Sequence, residues 1–197
     1  MSQTRQPIIH PSYIMMTLVL AGITVLFLGF SGAYLYNRFT VGLTPIHLPW
    51  LFYLNTFILL GSSWTLIQAK KQYLIDDTEK YKLYLIITLA LTILFLIAQV
   101  IAWYQLFAQN ISLTSGNMAA YMYLISGLHL AHVIAGIPFL SYFIYIAVKK
   151  MKSPVSVLVY FSDPDKKRSL DLLTWYWHFL DGLWIYLVLF FLLNYLF

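Results

Sequence analysis

His178 and Asp181 stand three residues apart in the run Trp175-Tyr176-Trp177-His178-Phe179-Leu180-Asp181-Gly182-Leu183-Trp184. On a helix that spacing puts an imidazole and a carboxylate on one face. His129 and His132 repeat the spacing earlier in the chain. Residues of these types can bind a metal, ligate a haem or relay a proton. Di-metal sites in helix bundles draw a carboxylate from several helices at once. Here Asp181 is the one carboxylate within the apolar segments, too few for that design. Two histidines could hold a haem, but no other haem signature accompanies them. A relay needs a chain of titratable groups, and the apolar segments supply four: His129, His132, His178 and Asp181. The plainer reading is a set of hydrogen-bonded residues that fix helix packing, because buried polar groups are as a rule satisfied. No phosphate loop, dinucleotide fingerprint or nucleophile–base pair is evident. The chain is therefore expected to supply no catalytic residue, no cofactor-binding residue and no metal ligand of its own.

The segments that hold these residues are apolar throughout. Of 197 residues, 61% are hydrophobic and 10% charged. A soluble domain of this length cannot hide so much apolar surface, so the fold class is all-α, a polytopic membrane protein in one membrane domain. The absence of cysteine excludes disulfides and thiolate metal sites. A net charge of +5 is read as a basic face toward lipid headgroups; nucleic acid as a partner has no support. The N-terminus, with Arg5, Pro7, His10 and Pro11 before a long apolar run, does not read as a cleavable signal.

Five spans are predicted at about 14–36, 48–69, 83–107, 119–148 and 173–196, each near or above the ~20 residues a bilayer requires. Turn chemistry separates them. Asn37 to Pro49 holds Gly42, Pro45 and Pro49; then come Asp76-Asp77-Thr78-Glu79 and Asn110 to Asn117. The longest connection, from Lys149 to about Leu172, contains Pro154 and the Asp163-Pro164-Asp165-Lys166-Lys167-Arg168 cluster. One side of the membrane receives Arg5, Lys70, Lys71, Lys80, Lys82, Lys149, Lys150, Lys152, Lys166, Lys167 and Arg168; the other receives only Arg38. That asymmetry predicts a cytoplasmic N-terminus and a periplasmic C-terminus.

Each span carries a polar or small stripe, and the five stripes are expected to face one another. They hold Gly22, Gly29 and Ala33; Asn55, Ser62 and Ser63; Thr88, Thr92 and Gln99; Ser126, His129, His132 and Gly136; and Thr174, His178 and Asp181. Gly127, Ala131 and Ala135 form a small-residue ridge expected to admit a neighbouring helix. Trp50 and Trp103 are expected at the membrane interfaces, and Pro138 is expected to kink the fourth span. His178 and Asp181 are placed about one to two turns into the fifth span, at a different depth from the mid-membrane His129 and His132.

The motifs resemble those of one family. Trp175-Tyr176-Trp177-His178-Phe179-x-Asp181-x-x-Trp184 is similar to the closing-helix signature of subunit III of haem–copper oxidases (cytochrome c oxidase). Gly127-x-His129-x-x-His132-Val133-Ile134-x-Gly136 resembles the preceding helix of that family. Leu48-Pro49, Leu54-Asn55-Thr56, Ser62-Ser63-x-Thr65-Leu66, Phe95-Leu96-x-x-Gln99 and Gly29-x-x-x-Ala33-Tyr34 extend the resemblance through the other spans, in order. The topology fits the short five-helix bacterial form. The chain departs from the pattern at two intramembrane glutamates. Ile23 stands at the first, and Val100, Ile101 and Ala102 fill the region of the second. This marks a divergent member whose histidines pair with hydroxyls or backbone.

The resemblance implies a non-redox accessory subunit of a proton-pumping terminal oxidase that reduces oxygen to water, fed by cytochrome c or quinol. Haem and copper would lie in partner subunits. This chain would pack on the catalytic subunit I, alongside subunit II, stabilise it and support its proton uptake. It would bind phospholipid, and a larger respiratory supercomplex is a further possible partner. The location implied is the bacterial cytoplasmic membrane. Asn55, Gln99, His129, His132, Trp177, His178 and Asp181 are then structural polar residues, or subunit and lipid contacts. Two other readings stay open: an accessory subunit of a related complex such as nitric oxide reductase, and a stand-alone transporter, which would need a substrate site at a broken helix.

Overall fold

The computed structural model describes residues 10–42, 47–151 and 153–197. Arg5, Pro7, Pro45 and Lys152, named above, lie outside the described residues. Six α-helices follow one another, with no strand among the described residues: α1 (Pro11–Val41), α2 (Trp50–Leu74), α3 (Thr78–Ala108), α4 (Asn117–Lys149), α5 (Pro154–Ser162) and α6 (Pro164–Leu196). All but α5 are long and apolar enough to cross a membrane. Helices of this kind pair their backbone groups within the segment, which hydrocarbon demands, apart from the one bond that Pro138 removes from α4.

Local sequence sets the ends. Pro11 opens α1 and Gly42 closes it in the left-handed region at φ 68°, where a glycine carries no Cβ penalty. Asp77 caps α3 by accepting from the Lys80 amide at 3.0 Å. That bond, with the Lys80 ammonium, holds the Asp77 carboxyl below its ordinary range. α4 runs continuously through Pro138.

The long connection after α4 differs from expectation. Ser153 and Ser156 form a capping box with Pro154 at the first turn, and they start the nine-residue α5. The charged cluster after it belongs to a helix rather than a loop. Asp163 caps α6 by accepting from the Asp165 amide at 2.8 Å, with Pro164 in the first turn. An acidic cap, a proline and an acid in the first turn are helix-start signals, and the charges there had the look of a connection.

The spanning helices alternate in direction. At one end Lys70 of α2 pairs with Asp171 of α6 at 2.7 Å, and Tyr13 packs edge-on against Trp175. At the other, Arg38 of α1 donates to Asn194 of α6 at 2.7 Å. The described basic residues other than Arg38 therefore gather at the first end. α1 is the least enclosed member: 17% of its apolar window is buried, against 33–44% for the other four.

Two small-residue stripes face neighbours only in part: Ala33 is half-buried and a Cβ on Gly127 would meet Trp103 at 3.8 Å. Gly22, Gly29 and Ala131 and Ala135 are exposed, and nothing lies within 4 Å of a Cβ built on Gly22 or Gly29. The packing face of α1 is instead Ile23, Phe27, Ser31 and Tyr34. In a bilayer, lipid tails cover an outward glycine as readily as a helix does, so spacing alone does not distinguish the two. Gly136 is the true point of close approach. A Cβ there would stand 3.0 Å from both the Trp177 Cζ3 and the Tyr176 Cε1 of α6.

Gly136→Val should force α4 and α6 apart at a cost of about 1–3 kcal/mol. Gly29→Val, facing open space, should stay within about 0.5 kcal/mol of the parent. Thermal unfolding of the two purified variants in detergent checks this; equal shifts would contradict the assignment of close approach to Gly136.

Candidate functional site

The polar residues meet along the inner faces of α2, α3, α4 and α6. Asn55 of α2 donates from Nδ2 to Gln99 Oε1 of α3 at 2.9 Å, and both residues are fully buried. Further along the same pair, Thr65 and Thr88 join hydroxyls at 2.8 Å. Thr88 and Thr92 also donate to their own helix one turn back. The Trp177 indole of α6 donates to Ser62 Oγ of α2 at 3.2 Å. Serine and threonine hydroxyls are well suited to this, since each can serve its own backbone and a neighbour at once.

Ser63, His178 and Asp181 form the most chemical-looking group. Ser63 Oγ lies 2.6 Å from His178 Nδ1, and Asp181 Oδ2 lies 3.9 Å from the same nitrogen. A serine–histidine contact is thus present that the sequence concealed, because Ser63 comes from another helix. It is not a catalytic triad. A triad sets the nucleophile on one ring nitrogen and the acid on the other, so that the acid orients the base. Here both partners crowd Nδ1. The group reads as a packing bond with a carboxylate beside it. His178 also borders a cleft of about 280 Å³ between α1 and α6, with Phe27 and Gly182.

The α4 histidines behave differently from each other. His132 places Nδ1 2.7 Å from the Leu128 carbonyl, and its own carbonyl accepts from Tyr176 Oη at 2.8 Å. Nδ1 must carry the proton to make the first of these bonds. His129 is fully buried and neither ring nitrogen has a partner. It sits in an aromatic box, its ring centroid 5.9 Å from Phe95 and 5.1 Å from Trp184, and Trp184 stacks on Phe52 at 5.5 Å. Two of the four intramembrane titratable residues therefore pair with a hydroxyl or backbone, as the sequence suggests for the histidines, while His129 pairs with neither.

The expected difference in depth is not observed. α6 begins at Pro164, so His178 and Asp181 lie roughly four to five turns in. Tyr176 touches His132 and Trp184 touches His129, so the residues between them on α6 share the level of the α4 pair. No hydrogen bond links the two pairs among the described residues. Nor do three His, Asp or Glu side chains converge there as a metal site would require. His132 has committed Nδ1 to its own helix, and His129 faces aromatic rings, so the two do not present a shared ligand face.

Ile23 and Ala102 are buried in one apolar core with Phe27, Phe95 and Trp184. Trp50 is exposed at the start of α2, but Trp103 turns inward and donates to Ser126 Oγ at 3.1 Å.

Replacing Asn55 or Gln99 by leucine should cost about 1–3 kcal/mol each, because the remaining amide is left unpaired in a dry core. The double variant should lose less than the sum. A double-mutant cycle on unfolding free energies reads this directly; strict additivity would mean that the bond contributes nothing.

With this geometry in view, the model of the family "Cytochrome c oxidase subunit III" matches residues 14–195. The chain is similar to "Cytochrome c oxidase subunit 3" of Cyanidium caldarium, 27% identical over 140 residues, covering 71% of this chain and 47% of that protein. It is similar to "Probable cytochrome c oxidase subunit 3" of Rickettsia prowazekii (strain Madrid E), 29% identical over 148 residues, 74% of this chain and 48% of that protein. It is also similar to the subunit 3 of Papio hamadryas, 26% identical over 146 residues, 74% of this chain and 51% of that protein. The chain spans about half the length of the curated relatives it matches. A family match across all five spanning helices, on a multi-pass membrane bundle, makes this chain a member of the cytochrome c oxidase subunit III family.

Proposed function

We propose that this chain is a non-redox accessory subunit of a haem–copper terminal oxidase, one that reduces oxygen to water and pumps protons. The observation that carries this reading is the family match from residue 14 to 195. Haem and copper belong to the partner subunits in this proposal. Here the chain packs on subunit I, beside subunit II, and stabilises it. The inner polar residues act within the bundle, where Ser63, His178 and Asp181 lack the arrangement of a catalytic relay.

The end rich in lysine faces the cytoplasm in this account, which follows from the distribution of basic residues. The membrane is the bacterial cytoplasmic membrane. Support for proton uptake comes through the packing of subunit I rather than through an acid in α1, since Ile23 occupies that position in an apolar core. Phospholipid is held in the cleft of about 550 Å³ between α1, α4 and α6, lined by Met15, Val19, Phe139 and Leu172.

A tagged chain purified in gentle detergent tests the reading, with mass spectrometry of its partners and an optical spectrum of the eluate. Subunits I and II with an oxidase haem spectrum are expected. A haem-free eluate lacking them, from a preparation shown to preserve the oxidase, would refute the proposal. His178→Leu should lower the yield of assembled oxidase by leaving Ser63 without its partner across the α2–α6 contact, while leaving the haem bands of the recovered complex in place. A shifted or missing haem band in an intact complex would contradict an accessory role.

A further inference from the structure

α5 is a short helix with two faces of opposite fate. Tyr160 and Phe161 bind it to the bundle. Tyr73 Oη donates to the Tyr160 carbonyl at 3.2 Å, and the Tyr81 and Tyr160 hydroxyls meet at 3.5 Å. The Phe161 ring packs edge-on against Tyr73 at 5.0 Å and Tyr81 at 6.0 Å. The opposite face carries Val155, Leu158 and Val159, exposed by 72%, 66% and 62%. Their i, i+3, i+4 spacing makes one aliphatic strip along the helix.

A nine-residue helix is not stable alone in water, so its form here depends on the capping box, the aromatic anchor and whatever covers that strip. Its position narrows the choice. It joins the ends of two spanning helices, between Lys149 at the close of α4 and Pro164 at the start of α6. That places it at the level of the membrane surface. The segment from 149 to 168 holds Lys149, Lys150, Lys152, Lys166, Lys167 and Arg168 against Asp163 and Asp165. Lys149, Lys150 and Lys167 are exposed. Aliphatic residues on one face with lysines at both ends is the composition of a helix that lies in an anionic headgroup layer.

We infer that α5 is an interfacial anchor whose Val155–Leu158–Val159 face sinks into the boundary between headgroups and acyl chains of anionic phospholipid. The lysines on either side hold the headgroups. The anchor fixes the height of α4 and α6 in the bilayer, and through Tyr73 and Tyr81 it carries that constraint to α2 and α3. This does not rest on assembly into an oxidase, because it concerns only the chain and the lipid beside it.

The chain has no cysteine, so a single one can be labelled without background. Leu158→Cys and, separately, Val155→Cys are labelled with a polarity-sensitive fluorophore. The full chain is reconstituted into phosphatidylcholine vesicles with or without phosphatidylglycerol. Nitroxide lipids carry the quencher near the headgroup or deep in the acyl chains, and iodide is loaded on both sides of the bilayer. At both sites the shallow nitroxide should quench most, iodide should quench little, and phosphatidylglycerol should strengthen the shallow quenching. Iodide quenching without lipid quenching would place the face in water and overturn the inference. Predominant deep quenching, or indifference to phosphatidylglycerol, would also overturn it.

Discussion

Inside hydrocarbon no water reaches a buried amide, so a polar side chain on a spanning helix needs an answering group from the protein. The Asn55–Gln99 bond meets that constraint in part: Asn55 Nδ2 and Gln99 Oε1 pair, while Asn55 Oδ1, Gln99 Nε2 and the His129 ring nitrogens, equally enclosed, find no partner. It sets the register of α2 against α3, and the Thr65–Thr88 contact repeats the lock further along. Once that pair is fixed, α6 docks on it through Trp177 to Ser62 and His178 to Ser63. Each such bond contributes only ~0.6 kcal/mol on average in a membrane interior. Their larger effect is to make other registers unfavourable, since a slipped helix would leave several polar groups unmatched.

Aromatic packing completes what the polar bonds begin. Phe95 and Trp184 pack against His129, with Phe52 stacked on Trp184, while Gly136 lets Tyr176 and Trp177 approach α4 closely enough for Tyr176 to reach the His132 carbonyl. α1 stands at the side of this frame and meets it through Ile23, Phe27, Ser31 and Tyr34. Clefts open between it and α4 or α6. Ile23 of this loosely covered helix lies in the apolar core. An acid there would need a partner inside an apolar core, and isoleucine removes the need.

Much of this was legible in the residues. Long apolar runs with turn residues between them defined the spanning helices, and amides or hydroxyls within those runs marked inner faces. Asn55, Ser62, Thr88, Gln99, His129 and Asp181 are all buried. What misled was spacing without chemistry. Gly22 with Gly29, and Ala131 with Ala135, carry the pattern of a helix contact but face outward, because small residues are tolerated equally against lipid. Identity of partners was also hidden. Nothing local to Ser63 says that His178 will meet it, and nothing near Trp103 announces Ser126. α5 went unseen because nine residues between two prolines, beside dense charge, look like a connection until the aromatic contacts of Tyr160 and Phe161 are known.

The central claim is that α2, α3 and α6 form a polar-bonded frame on which α1 is a looser addition. Hydrogen exchange read by mass spectrometry, with the chain in lipid nanodiscs and denaturant raised stepwise, tests it helix by helix. Peptides from α1 should gain deuterium first, and those from α2, α3 and α6 should lose protection together at higher denaturant. If α1 outlasts the frame, or α2 and α3 open in separate steps, the polar seam is not what holds this bundle together.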